Sequence, residues 1–368
     1  MRGTLGIMTD RIDGTQKLII LQKMALEVGF TDVFVFTPAH VFLRSRTIKG
    51  YKWIKTRWFP VQVPWPDIIH DVGYYTSPAV IRAVVRLKSR GDLPFAGYGL
   101  GNKWHIHHLL MQSGALQPFL LPTAPFSVPE AKRMLDCYGA VMIKPVNGKG
   151  GQGIVRVSRL TALNRVQLQY SSRRTLSFPS SAVNLKLRQL RAQGPAIVQQ
   201  WIPIYDQEER VFDIRVLVQK NGSGCWQQTA SGIRRAQKAR ITSNVQTGAE
   251  VLELQPFLVH RFGPDTAAAL HQQIVMLAEV IPAHLEQTGG KRLAELGIDL
   301  AVDVTGRLWI LEVNVKPGKK LVRSLYGPQL SAQSIRNPLQ YAAFLLANHS
   351  RDVSAQPGSG KGARLVRF

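Results

Sequence analysis

The chain has 368 residues, 45% of them apolar, which excludes a disordered polar tract and gives room for two or three domains with cores of their own. Lys and Arg number 47 against 23 Asp and Glu, a formal charge of +24 whose field gathers phosphates, acidic polymers or nucleic acid at the surface. No apolar run approaches the roughly 18 residues of a membrane span. Asp10, Arg11 and Asp13 stand where a signal peptide needs its apolar stretch, and the distant pair Cys137 and Cys225 offers neither a disulfide framework nor a thiolate metal site. These features predict a protein of a reducing, cytoplasmic compartment.

In chain order, LGIMTD predicts a strand, QKLIILQKMALEVGF an amphipathic helix and DVFVFTP a second strand, the opening of an α/β layer. A hairpin-like segment follows, in which Arg44, Arg46, Lys49, Lys52, Lys55 and Arg57 are interleaved with Tyr51, Trp53 and Trp58. Basic plus aromatic invites a nucleic-acid reading, but no nucleic-acid module accompanies it, and nucleic acid is not an expected partner. PDIIHDVG then reads as strand, SPAVIRAVVRLKSRG and NKWHIHHLLMQSG as helices, PFLLPTAPFS as an extension and PEAKRMLDCYG as another helix. The strand GAVMIKPV, the loop NGKGGQG and the strand IVRVSR come next. From Val155 to Gly194 there is no Asp or Glu, while Arg156, Arg159, Arg165, Arg173, Arg174, Lys186, Arg188 and Arg191 accumulate. Strands AIVQQWI and FDIRVLVQK follow, with helices near residues 182–193, 265–287 and 337–348, and RDVSAQPGSGKGARLVRF has the composition of a flexible tail.

Gly148, Gly150 and Gly153 satisfy the G-x-G-x-x-G pattern of dinucleotide-binding folds, which requires a helix directly after the loop. IVRVSR alternates like a strand instead, and no Lys-Ser/Thr follows the last glycine as in a Walker loop. The loop therefore reads as a hairpin tip, a flap whose backbone N–H groups can close over phosphates, with Lys144 on the strand leading into it.

Near the end, GIDLAVDVTGRLWILEVNVKPG reads as two strands joined at Thr305-Gly306. Alternation puts Glu312 and Asn314 on one face, with Leu311, Val313 and Val315 on the other, and the pairing brings Asp299 toward Glu312. Two readings are open for this set: a solvated sheet edge, or an oxygen-only site for Mg2+ or Mn2+.

The order of these elements resembles the ATP-grasp superfamily, and specifically the YheC/YheD endospore coat-associated group. It comprises a Lys at the start of NKW, a strand with Lys144 and the glycine flap, the QQW strand, the D-x-R strand and finally Asp299 with Glu312-x-Asn314. WPDIIHD, GNKWHIHHLL, DIRVLVQKNGSGCW and ITSNVQTGAE match that group as well. The resemblance implies an ATP-grasp fold, α/β overall and α+β in the grasp. It implies an open N-terminal pre-ATP-grasp domain (1–100), a flap-bearing lid (101–198), a C-terminal subdomain carrying the ATP site (199–350) and a basic tail (351–368).

By the same resemblance, Lys103 and Lys144 hold nucleotide phosphates, with Gly148, Gly150, Gly151 and Gly153 forming the flap above them. Gln199, Gln200, Trp201 and Ile202 form the adenine hinge, with amides where the superfamily often has an acidic residue. Asp213 meets the ribose or the flap, and Arg215 stabilises the transferred phosphoryl. Arg234, Arg235 and Asn244 lie over the acyl phosphate and the acceptor, and Asp299, Glu312 and Asn314 ligate Mg2+ or Mn2+. The implied activity is an ATP-dependent carboxylate–amine ligase. A phosphotransferase and a non-catalytic nucleotide- or polyanion-binding coat protein stand as alternatives. The implied partners are an unidentified carboxylate and amine, together with an acidic polymer or spore coat proteins, and the basic stretch 155–194 is where such contacts are expected.

Overall fold

The computed structural model describes residues 2–13, 16–148, 150–172, 174–238, 240–243 and 248–354. They form two compact units. One runs to Gly97 and takes in Lys220–Cys225 and the chain from Ile335; the other comprises Tyr98–Gln219 and Trp226–Ser334.

The first unit contains β1 (Arg2–Met8), α1 (Gln16–Val28), β2 (Phe30–Phe36), β3 (Val41–Phe42), β4 (Thr47–Ile54), β5 (Arg57–Pro64), β6 (Ile68–Asp71) and α2 (Pro78–Lys88). β1 lies parallel to both β2 and β6, the open α/β layer that the alternation of strand and helix patterns predicts. Leu5, Ile7, Val33, Val35 and Ile68 point from that sheet into a core with Leu18, Leu21 and Ala25 of α1. The basic segment is a hairpin, with β4 and β5 paired from Thr47↔Pro64 to Ile54↔Arg57. Its tryptophans pack within the unit: Trp53 and Trp58 meet edge to face at 5.5 Å, and Gln22 of α1 both donates to the Trp53 carbonyl and accepts from its N–H at 2.9 Å.

The second unit begins with α3 (Lys103–Leu110), started by the Asn102 side chain accepting the His105 N–H at 3.0 Å. A six-stranded sheet follows, built from β7 (Thr123–Pro125), β8 (Ala140–Pro145), β9 (Val155–Leu160), β10 (Arg165–Tyr170), β11 (Thr175–Pro179) and β12 (Ala196–Gln200) in the order β11-β10-β9-β8-β12-β7. The helices α4 (Val128–Tyr138) and α5 (Val183–Arg191) share a core with it, where Met134, Leu135, Leu187 and Leu190 meet Val155, Val157, Val166 and Leu168. The basic stretch therefore contributes the apolar interior of this layer through alternate residues. The pattern was hidden in the sequence because β10 and β11 are short and their outward residues are Arg, Gln, Ser and Thr.

The other sheet of this unit runs β15-β14-β13-β16-β17. It comprises β13 (Phe212–Lys220), β14 (Trp226–Arg235), β15 (Glu250–Leu252), β16 (Glu295–Val302) and β17 (Leu308–Asn314), with α6 (Leu254–Phe262) and α7 (Pro264–Gly289) between β15 and β16. Phe212, Ile214, Val216 and Val218 face α3, α6 and α7 across the largest core, which frees Asp213 and Arg215 for the opposite face. After β17 come α8 (Lys320–Leu325) and α9 (Gly327–Ser354), which runs past residue 351; residues 355–368 of the expected tail lie outside the described residues.

One expectation about β17 fails for a local reason. A bulge between Asp299 and Leu300 of β16 pairs Asp299 with Glu312 and Leu300 with Ile310, leaving Leu311 extra. The phase inverts there, so Val313 and Val315 join the largest core while Leu311 packs on the opposite side with Leu121, Ile202, Ala301 and Trp309.

The turn between β16 and β17 is organised by Asp303. Its Oδ1 accepts from Thr305 N at 2.9 Å, Thr305 Oγ1 at 2.6 Å and Arg307 N at 3.2 Å, and its Oδ2 accepts from Trp309 Nε1 at 2.8 Å. Asp303→Ala strands these donors and is expected to cost about 3 kcal/mol of stability in urea unfolding. A loss under about 0.5 kcal/mol, the range of an ordinary surface change, would contradict that account of the turn.

Candidate functional site

Two strand pairs and one helix converge in the second unit to put charged groups where apolar packing leaves off. Lys144 lies near the end of β8, Gln199 on the adjacent β12 and Lys103 at the first turn of α3. With Glu312 of β17 they line one pocket, completed by Ile106, His107, Thr123, Ile197 and Leu311. Lys103 forms an ion pair with Glu312, and Lys144 donates to Gln199 Oε1 at 2.5 Å.

The second cluster lies on β13, β14, β16 and β17. Arg215 holds Asp299 through Nε and, at 3.0 Å, through Nη2, a bidentate fork. Arg234 bridges two carboxylates: Asp213, at 2.5 and 2.7 Å, and Asp299, at 3.1 Å. The Asn314 amide donates to Asp299 Oδ2 at 3.3 Å, and Ser243 donates to Asp213. Gly297, opposite Asn314, leaves room for this packing, since a Cβ there would lie 3.1 Å from Arg215 Nη1 and 2.7 Å from Pro317 Cβ.

Burial and pairing divide the ionisation behaviour of these groups. Desolvation pushes Asp299 upward, but Arg215 and Arg234 together outweigh it and hold the carboxyl below its usual range. At Asp213 desolvation prevails over Arg234 and the carboxyl rises. Loss of hydration pulls Lys144 from 10.5 to about 8, against the attraction of Glu312, while Lys103 reinforces the fall. His107 is lowered to about 4 by desolvation, with Lys144 and His108 adding to it, so its imidazole is neutral near pH 7.

The glycine loop is the tip of the β8–β9 hairpin, paired from Ala140↔Ser158 to Ile143↔Val155, with no helix after it. Gly150, Gly151 and Gly153 all have positive φ, near +70°, which L side chains rarely adopt. Beyond the pocket, Trp201 lies under Arg156 of β9, 3.6 Å from its guanidinium carbon, and Ile202 is buried. Gln200 makes a strand hydrogen bond from its N–H to the Pro122 carbonyl at 2.9 Å. Arg235 turns to Asp206, Glu208 and Glu250 instead of joining the Asp213 and Asp299 network. Asn244 lies outside the described residues.

The sequence did not single out His107, Thr123 or Ser243, and it marked Arg156 only as one member of the basic run 155–194. His107 follows Lys103 by one helical turn and was within reach of the i,i+4 rule. Thr123 gave no signal, because β7 is three residues long and its Thr acquires a role only through its strand partner.

The oxygen donors Asp299, Glu312 and Asn314 suit a hard divalent cation in type. Among the described residues no group of three or more Asp, Glu, His or Cys side chains forms a metal cage. A Mg2+-type ion commonly takes only one or two carboxylates from a protein and fills the rest of its shell with substrate phosphates and water.

Residues 92–345 match the family model described as YheC/D-like ATP-grasp. The endospore coat-associated protein YheC of Bacillus subtilis is 26% identical over 342 residues, covering 90% of this chain and 92% of that protein. Endospore coat-associated protein YheD of the same organism is 26% identical over 344 residues, 89% of this chain and 73% of its own length. Among solved structures, D-alanyl-alanine synthetase A from Vibrio cholerae shares the fold with a TM-score of 0.53 at 12% identity, covering 92% of this chain and 98% of the other.

Holding Lys144 charged disfavours the folded state, and the sign of the pH dependence follows. Between pH 8 and 10.5 the unfolded chain binds the extra proton, so wild-type stability rises with pH across that window. Lys144→Met is expected to be more stable than wild type at neutral pH by about 1 kcal/mol, the lost bond to Gln199 offsetting part of the relief. Urea unfolding at several pH values would show that advantage pass through zero within the window and reverse above it, since the wild type gains about 3 kcal/mol across the shift. An advantage constant with pH would contradict the shift.

Proposed function

Because this chain belongs to the YheC/D-like ATP-grasp family, we propose that it is an ATP- and Mg2+-dependent carboxylate–amine ligase. The observation that carries this reading is the charge arrangement of the site, where Lys103, Lys144, Arg215 and Arg234 surround Asp213, Asp299 and Glu312. Four cations against three carboxylates leave an excess suited to a polyanionic ligand.

In the proposed reaction a substrate carboxylate oxygen attacks the γ-phosphorus of ATP, ADP leaves, and an amine then displaces phosphate from the acyl phosphate to form an amide. No protein nucleophile is required; positioning and electrostatic stabilisation suffice. Lys103 and Lys144 would bind nucleotide phosphates beneath the glycine flap, and Arg215 would offer its planar fork to the transferring phosphoryl. Arg234 keeps Asp213 and Asp299 aligned from the adjacent strand. Asp299, Glu312 and Asn314 would hold the divalent cation, which when bound neutralises phosphate charge. His107, neutral near pH 7, can donate or accept a hydrogen bond beside Lys144 without adding repulsion. The names of the two Bacillus relatives support a role at the spore coat, and the +24 charge supports an anionic substrate or neighbour.

Hydroxylamine as the acceptor tests the chemistry directly, since it traps an acyl phosphate as a hydroxamate. With ATP, Mg2+ and a panel of carboxylic acids, hydroxamate formation matched by ADP release is expected. Glu312→Gln should slow it by about two to three orders of magnitude, as for loss of one charge contact at a phosphoryl-transfer site. Phosphorylation of a hydroxyl acceptor with no hydroxamate from any acid would overturn the ligase reading.

A further inference from the structure

Gln199 is expected at the adenine hinge, yet both ends of its amide are engaged elsewhere. Its Oε1 accepts from Lys144 Nζ at 2.5 Å, and its Nε2 donates to Thr123 Oγ1 at 2.9 Å. Thr123 Oγ1 in turn donates to the Leu121 carbonyl at 2.8 Å. The relay runs across the sheet, because β12 pairs Gln199 with Thr123 of β7 on one side and Ile197 with Lys144 of β8 on the other. Gln199 is 3% exposed, so its amide has little freedom to reorient.

The direction of the relay is fixed by donor and acceptor chemistry. The Thr123 proton is committed to a carbonyl that can only accept, so its oxygen is left as an acceptor and the Gln199 NH2 must face it. The carbonyl end then faces Lys144, whose ammonium can only donate. Turning the amide over would set NH2 against ammonium at one end and leave Thr123 without its donor at the other.

We propose that Gln199 is a positioning residue for the phosphate-binding lysine and takes no part in reading the base. A carboxylate at this place would pair with Lys144 and compete with a phosphate for it, whereas the amide holds the ammonium by a bond that leaves its charge unneutralised. Thr123 extends the support to a fixed backbone atom. This inference rests on Lys144 as a phosphate ligand in the proposed reaction.

The test compares ATP with adenosine, which has the same base and no phosphate. Affinities of both, in Mg2+, are measured by calorimetry and NMR titration for wild type, Gln199→Leu, Thr123→Val and Thr123→Ser. Gln199→Leu is expected to weaken ATP about tenfold or more, the scale of a hydrogen bond to a charged group, and to leave adenosine unchanged. Thr123→Val should do the same to a smaller degree, with Thr123→Ser close to wild type, and this pair carries the test if Gln199→Leu does not fold. Equal losses of ATP and adenosine would place Gln199 on the base and overturn the proposal, as would no loss of either. Wild-type protein that binds neither ligand would instead overturn the nucleotide reading on which the proposal depends.

Discussion

A carboxylate taken out of water needs a positive partner, and Asp299 has two. Asp213 shares one of them, so removing either guanidinium would leave two buried carboxylates with a single one between them, a loss of several kcal/mol in comparable pairs. Arg234 also reaches Asp213, and Asn314 adds a hydrogen bond, so β13, β14, β16 and β17 are tied through one acidic side chain. The alternation that sends Phe212, Ile214 and Val216 into the core delivers Asp213 and Arg215 to this cluster. The bulge in β16 and β17 delivers Glu312. Packing and site chemistry are thus two faces of the same strands.

On the proposed reading, these ion pairs also set the terms of ligand binding. A nucleotide alone would draw Lys103 and Arg215 away from Glu312 and Asp299, and a divalent cation alone would draw the carboxylates from their cations. Together they supply each side with a new partner, so neither set of charges is left bare. Positive coupling between nucleotide and metal is the thermodynamic consequence.

Much of this was legible in the sequence. The glycine loop read as a hairpin tip because the residues after it alternate as a strand, and β8 and β9 pair on that pattern. Asp299 and Glu312 were expected to approach each other, and they are register partners. The bulge was not legible, since nothing in ILEVN distinguishes a strand that skips Leu311 from one that does not. Nor was the hydrogen bonding of Gln199, which depends on Thr123, 76 residues earlier, through a three-residue strand. In the basic stretch of residues 155–194 the strand carrying Val155 and Val157 and the helix near 182–193 were legible, whereas Val166 and Leu168 of the short β10, set among Arg and Gln, were not.

The measurement that bears most directly on this coupled charge cluster is calorimetric titration of ATP into the protein with and without Mg2+. The account predicts tight binding of ATP with Mg2+ and binding weaker by about tenfold or more when Mg2+ is omitted, within the usual range of coupling free energies. ATP affinity that is the same without a divalent cation would contradict it, because the carboxylates would then have lost their partners at no cost.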